Sequence, residues 1–165
     1  MASINEIEIK SLKEFKGHEG EPLFQGDIYY KGKKLGFWSQ DAHGGICDNF
    51  GFNEEILNEE VKRFVASDMV EERYKEFAGL EILLSNLVEL MEREKQYKKF
   101  LKKGLFTTVL ITDDYHCFYG ACSKSKEDAL EEFKDYIEES KKKCFKNKKA
   151  KVLVFTDLND FKINI

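Results

Sequence analysis

Two imidazoles and two carboxylates lie at opposite ends of one aromatic-rich stretch of the sequence. His18 and Glu19 fall within residues 17–20, and Asp41 and His43 come just before Gly44. If the residues between them form a β-hairpin, its ends meet and bring the four side chains together. Imidazole nitrogens and carboxylate oxygens can bind a divalent metal or transfer protons. Glycine beside His and Asp is also typical of tight turns, so a structural role for these loops is the competing interpretation.

The turn interpretation is favoured because this spacing matches no established ligand set and no nucleophile accompanies it. The sequence also lacks a phosphate-binding glycine loop, a dinucleotide-binding glycine motif and a paired-cysteine metal motif. We therefore predict no metal centre and no cofactor. The cysteines are predicted to be free thiols of a reducing cytosol; they are Cys47, Cys117, Cys122 and Cys144.

Hydrophobic periodicity indicates the elements that must position these loops. It predicts strands over 4–10, 23–30 and 34–40, and a shorter strand over 46–52. Helices are predicted over 53–77 and 80–103, then strands over 105–112 and 116–122. A third helix follows the N-cap Ser125, and strands follow over 151–158 and near 161–165. The predicted fold is α+β, with an N-terminal antiparallel β-sheet module followed by two helices and a ββαβ unit. The predicted domains are a β-rich module, 1–53, and a helical and α/β region, 54–165, packed as one compact body.

Composition limits the class of protein. The chain has 165 residues, of which 42% are apolar and 35% charged, with a net charge of −4. This content supports a folded core. No apolar run is long enough to cross a bilayer, and the N-terminus lacks a signal-peptide pattern, so we expect a cytoplasmic protein without a membrane partner. The negative charge disfavours binding to free nucleic acid. Five lysines within 95–103 are interpreted as a solvated helix end.

An acidic stretch is the candidate surface for binding a protein partner. Residues 54–94 hold 12 acidic and five basic side chains. Trp38 is the candidate exposed aromatic anchor, because aromatic side chains dominate binding at many interfaces. The candidate acidic residues are Glu54, Glu55, Glu59, Glu60, Asp68, Glu71 and Glu72.

The segment 12–45 resembles an N-terminal module of small proteins from phages and other mobile elements of Firmicutes. The matching features are Phe15, the Gly-His-Glu-Gly of 17–20, Gln25-Gly26, Gly32-Lys33-Lys34, and Asp41 with Gly44-Gly45. Some of these proteins resemble anti-CRISPR inhibitors of the type II RNA-guided nuclease. The resemblance implies a bacterial host cytoplasm, and a partner that is the CRISPR effector nuclease or its guide RNA complex.

Three functional hypotheses follow. In the first, the protein is a non-enzymatic inhibitor that binds the nuclease or its guide complex. In the second, it is a metal- or acid/base-dependent enzyme that acts on nucleic acid or nucleotide through His18, Glu19, Asp41 and His43. In the third, it is an accessory phage module that binds another host protein.

Overall fold

The structure is a computed structural model that describes residues 1–45, 47–51, 54–70, 72–112, 117–122, 124–143 and 151–165. The chain divides into two compact units. Unit 1 comprises residues 1–92 and 162–165, and unit 2 comprises residues 93–161. The helical residues 54–92 thus belong with the N-terminal sheet, whereas the sequence-based division at residue 53 groups them with the rest of the chain. The α+β class is confirmed.

The described strands and helices follow the predicted order. The strands are β1 Ser3–Ile4, β2 Ile7–Lys16, β3 Pro22–Tyr30, β4 Lys33–Ser39, β5 Asp48–Phe50, β6 Thr107–Thr112, β7 Cys117–Cys122, β8 Lys151–Phe155 and β9 Lys162–Ile163. The helices are α1 Glu54–Ala66, α2 Leu80–Leu101, α3 Lys126–Glu132 and α4 Lys134–Lys143, with 3₁₀ turns at Glu72–Tyr74 and Leu158–Phe161. No helix in the described part of the chain is both long and apolar enough to cross a membrane.

Unit 1 is built on a sheet with the order β5-β4-β3-β2-β1-β9. Its neighbouring strands are antiparallel, except that β9 pairs in parallel with β1. Alternate residues of a strand face the same side of a sheet, which puts the isoleucines of β1 to β3 at buried positions. The fully buried side chains of unit 1 include Ile4, Ile7, Ile9, Ile28, Leu57, Phe64, Leu83, Leu84 and Leu87.

Several predicted element boundaries were wrong. The strand predicted over 4–10 is two strands divided by a turn at Asn5 and Glu6, and β2 continues to Lys16. Helix α1 stops at Ala66 because the Ser67 hydroxyl donates to the Phe64 carbonyl and accepts the Met69 N–H.

The third predicted helix divides at Phe133 into α3 and α4, although Ser125 is its N-cap as expected. Strand β8 ends at Phe155 because the Asp160 carboxylate gathers the N–H groups of Thr156 and Asp157 into a turn. By contrast, Gly104 ends α2 as predicted, with φ of 75°.

Unit 2 packs a three-stranded sheet, ordered β7-β6-β8, against α3 and α4. The ring of Phe133 lies so close to Gly120 that a Cβ there would stand 2.7 Å from it, which makes glycine necessary at that position. A second cluster is aromatic: Phe155 stacks on Phe161 with ring centroids 4.4 Å apart, and Tyr97 lies 5.5 Å from Phe161. The buried core shared by the sheet and α3–α4 includes Val109, Ile111, Cys122, Ala129 and Ile137.

One buried residue, Asn5, connects three segments of unit 1. Its N–H donates to the Ile163 carbonyl at 2.8 Å, and its side-chain oxygen accepts the Ile165 N–H at 2.8 Å. Its side-chain nitrogen donates to the Glu60 carbonyl at 3.4 Å. Asn5 also has φ of 48°, a left-handed conformation that asparagine tolerates better than most residues. Both the hydrogen bonds of the side chain and the left-handed backbone therefore favour asparagine at position 5.

We predict that Asn5→Ala lowers the free energy of unfolding by about 2–3 kcal/mol, because it removes buried hydrogen bonds and places alanine in a left-handed conformation. Asn5→Gly loses the same side-chain bonds but not the conformational fit, so we expect it to be about 1 kcal/mol more stable than Asn5→Ala. Urea unfolding measures both. Equal stability of Asn5→Ala and the wild type would show that this residue does not hold the segments together.

Candidate functional site

The structure brings together the two loops that the sequence marked as a candidate site. His18 lies in the connection between β2 and β3, and His43 follows β4. Their ring centroids are 5.3 Å apart, with planes tilted by 42°. The His18 N–H donates to the Ala42 carbonyl at 2.9 Å, which ties one loop to the other. Both imidazoles are exposed to solvent. The sheet positions them because β3 pairs with β2 on one side and with β4 on the other.

Asp41 is used to build its own loop. One carboxylate oxygen accepts the Gly45 N–H at 2.6 Å, and the other accepts the His43 N–H at 3.3 Å. Such side-chain to backbone bonds are typical of Asx turns. Both oxygens of Asp41 are thus engaged by the backbone, as the turn interpretation predicts.

Glu21, which was not predicted from the sequence, likewise binds backbone N–H groups in the first loop. Its carboxylate accepts the Glu19 N–H at 2.9 Å, and its carbonyl accepts the Gly17 N–H at 2.9 Å. The same carboxylate fills the space beside Gly17 that a Cβ would occupy. A carboxylate four residues after a glycine in a short loop is the signal that could have revealed it.

The loops combine two exposed imidazoles with carboxylates that shape the backbone. Within the described residues, no group of three or more His, Cys, Asp or Glu side chains is arranged to hold a metal ion. Two imidazoles at this separation can still act as a two-nitrogen ligand or exchange protons with a bound molecule. The geometry therefore favours a structural role for the two loops over a chemical role for their imidazoles.

Trp38 is not an exposed anchor, and that prediction was wrong. It is 1% exposed. It lies in β4, which is flanked by β3 and β5, with Gly26 and Asn49 as its partners on either side. Its aromatic neighbour Phe37 contacts Phe50, which is 59% exposed on the edge strand β5. The large apolar surface of Trp38 is buried in the sheet instead of presented to a partner.

Cys47 lies beside Trp38 and Glu81, and both affect the pKa of its thiol. Its N–H donates to the Glu81 carboxylate at 3.1 Å. Burial and the charge of Glu81 raise the pKa of the Cys47 thiol, and the Trp38 indole N–H opposes them more weakly. A raised pKa disfavours the thiolate, which is the nucleophilic form of cysteine. Cys47 and Cys122 are free thiols, as predicted. The side chain of Cys117 and all of Cys144 lie outside the described residues.

The candidate acidic residues divide into exposed and buried sets. Glu55, Glu59, Asp68 and Glu72 are exposed. Glu60 is buried at 7% exposure, which corrects its assignment to a solvated partner-binding face. It is buried because its carboxylate accepts the Tyr30 hydroxyl at 2.8 Å and pairs with Arg63 at 3.3 Å. The side chain of Glu54 and all of Glu71 lie outside the described residues.

Two of the exposed carboxylates form ion pairs on the same stretch of chain. Glu59 contacts Lys62 at 2.9 Å, and this contact lowers the pKa of the Glu59 carboxyl. Glu72 contacts Lys75 at 3.0 Å. Exposed pairs of this kind contribute little to stability, so both carboxylates can exchange their lysine for another cation at small cost.

Electrostatic charge is distributed unevenly between the units. Unit 1 contains 19 acidic and 11 basic side chains, a net charge of −8, and unit 2 contains 12 acidic and 16 basic side chains, a net charge of +4. The overall charge of −4 is therefore the sum of two charges of opposite sign.

No protein-family model, curated protein or solved structure matches this chain.

We predict that Asp41→Ala destabilises the protein by about 1–2 kcal/mol, since it leaves two loop N–H groups without their carboxylate. His18→Ala and His43→Ala should each change stability by no more than about 0.5 kcal/mol, because both side chains are exposed. Thermal unfolding with circular dichroism detection compares the three variants. A histidine variant as destabilised as Asp41→Ala would contradict this, because it would show that the imidazole contact holds the loops as strongly as the Asx turn.

Proposed function

We propose that this protein is a non-enzymatic inhibitor that binds a CRISPR RNA-guided nuclease or its guide complex in the host cytoplasm. The observation that carries the proposal is the net charge of −8 on unit 1, together with exposed carboxylates at Glu55, Glu59, Asp68 and Glu72. Such a body is attracted to a strongly basic protein surface.

The proposed partner has a surface of the opposite charge. RNA-guided nucleases hold their heteroduplex in positively charged channels. An acidic protein is steered toward such a channel, and it excludes nucleic acid once it is bound there. No chemical step is required for inhibition of this kind. The resemblance of residues 12–45 to modules of phage and mobile-element proteins supports this choice of partner.

The acidic contact is tested by removing three exposed carboxylates without touching the buried Glu60. We expect Glu55→Gln/Glu59→Gln/Glu72→Gln to slow association with guide-loaded nuclease by about tenfold at low salt, because steering depends on charge. Added salt should reduce the difference, since exposed charges are screened beyond roughly 8 Å at physiological ionic strength. Surface plasmon resonance gives the association rate, and a DNA-cleavage assay gives the inhibition.

A matched control removes the same charge from unit 2. The variant Glu131→Gln/Asp135→Asn/Glu138→Gln also changes three exposed helical carboxylates, two of which pair with lysines. It should associate at the wild-type rate. Equal slowing by both triple variants would show that only overall charge matters. Absence of binding and of inhibition by the wild-type protein at excess would remove the proposal and favour an accessory module that binds another host protein.

A second candidate function is favoured by the 5.3 Å approach of the His18 and His43 rings. In this alternative the loops act on nucleic acid or nucleotide, with the imidazoles transferring protons or ligating a metal, and with Glu19 and Asp41 beside them. The structure favours it less than binding, because both oxygens of Asp41 accept loop N–H groups.

The double variant His18→Ala/His43→Ala separates the two functions. Under the binding proposal, inhibition of the nuclease should change by less than about twofold, because neither exposed imidazole supports the fold. The wild-type protein should also leave labelled RNA, DNA and nucleotides unaltered, with or without added Zn²⁺ or Mn²⁺. Loss of inhibition in the folded double variant, or metal-dependent product formation by the wild type, would establish the enzymatic alternative.

A further inference from the structure

Unit 2 carries a row of exposed lysines that the proposed function does not use. The row, called here the basic stripe, comprises Lys95, Lys98, Lys99, Lys102 and Lys103. All five are exposed. Their spacing of three and four residues puts them on one side of a helix. Hydrogen bonds from the Lys102 N–H to the Lys98 carbonyl and from the Lys103 N–H to the Phe100 carbonyl continue helical geometry past the end of α2.

The basic stripe has the dimensions of a short phosphate track. Nine residues of helix at 1.5 Å per residue extend about 12 Å, which is long enough to face two or three successive phosphates of an extended strand. Lysines near a helix C-terminus are also favoured by the helix dipole, but that effect is confined to the last turn. Lys95 lies well before the last turn of α2, so the dipole does not account for the whole stripe.

An exposed aromatic residue follows directly after the stripe. Phe106 is 55% exposed. Its position is fixed, because its carbonyl accepts the Tyr97 hydroxyl at 2.8 Å and the preceding Leu105 N–H donates to the Phe100 carbonyl. Tyr97 is buried at 1% exposure, so Phe106 is the ring of this segment that a ligand can reach. An exposed ring beside lysines is the combination that single-stranded nucleic-acid sites use.

Phe106 also lines an open depression of about 580 Å³, together with Lys124 and Lys126. The Thr107 hydroxyl in this depression already donates to the Lys124 carbonyl, so Lys124 and Lys126 supply the cationic donors. The Lys124 ammonium also pairs with Glu132 at 4.0 Å, an exposed contact that can be exchanged at small cost. Glu127 lies at the same depression and repels phosphate. We therefore place phosphates on the stripe, and an unpaired base on the ring of Phe106 with its polar edge toward the two lysines.

We propose that unit 2 binds single-stranded nucleic acid, with the basic stripe contacting the phosphates and Phe106 stacking on a base. The net charge of +4 on unit 2 supports this proposal. It departs from the sequence-based expectation, which used the charge of the whole chain. The proposal does not depend on the identity of the nuclease, although a guide RNA is one ligand of this class. Duplexes are disfavoured because their bases are already stacked.

The test is fluorescence anisotropy of the full chain with labelled oligouridine and oligothymidine of about 20 nucleotides. We expect binding that weakens with salt. In Lys99→Gln/Lys102→Gln/Lys103→Gln the dissociation constant should rise about tenfold or more, and the slope of its logarithm against log salt should fall by about 2. Phe106→Leu keeps an apolar side chain without a ring, and should weaken binding about fivefold or more because stacking is lost.

Matched variants make the result specific. Lys13→Gln/Lys16→Gln/Lys33→Gln removes three exposed lysines from unit 1, and Phe77→Leu replaces another exposed ring. Both should bind the oligonucleotides as the wild type does. Circular dichroism confirms the fold of every variant. Absence of binding at low salt, or equal losses in the stripe and control variants, would overturn the proposal whether or not the protein inhibits a nuclease. Sedimentation with phosphatidylserine vesicles without oligonucleotide binding would assign the stripe to membranes and overturn it as well.

Discussion

Unit 1 depends on a single buried amide. Asn5 satisfies backbone groups on β9 and on α1 while its own backbone takes a left-handed turn between β1 and β2. A buried N–H or carbonyl that loses its partner costs free energy comparable to a whole hydrogen bond. The backbone and side chain of this one residue thereby join the sheet, the first helix and the C-terminal segment. The neighbouring Glu60 extends the network through Tyr30 and Arg63, which is why this glutamate is buried while Glu59 next to it is exposed.

The rest of unit 1 keeps the His18 and His43 loops and four acidic side chains, Glu55, Glu59, Asp68 and Glu72, exposed to solvent. The His18–His43 contact lies at the ends of strands whose register is set by pairing with β3. The loops are firm because Asp41 and Glu21 bind backbone N–H groups, and preorganised loops bind partners at lower entropic cost. Each unit, taken by itself, therefore offers charged surface with a fixed backbone to a partner, which is what the proposed inhibitor would need.

Local sequence signals predicted the strands and helices better than they predicted which side chains are exposed. Alternating isoleucines and aromatic residues gave β2, β3 and β4, and the Ser125 N-cap and Gly104 gave helix ends, because each depends on neighbouring residues. The meeting of His18 and His43 also followed from hairpin geometry. Burial of Trp38 and Glu60 did not follow, since it depends on contacts with distant strands and helices. Glu21 was missed because a glutamate four residues after a glycine is a weaker turn signal than the Asp and Gly residues at 41–45.

The parallel pairing of β1 with β9 has a consequence for how the chain is made. Residues 162–165 complete unit 1, yet the ribosome synthesises them after all of unit 2. Unit 2 is therefore the first to have its whole sequence available, and the N-terminal unit waits for its last strand. Joining residues so far apart in sequence slows folding. Until β9 is made, β1 is the edge of the sheet with its backbone groups on that side unpaired, and its length of two residues limits how well another chain can pair with it.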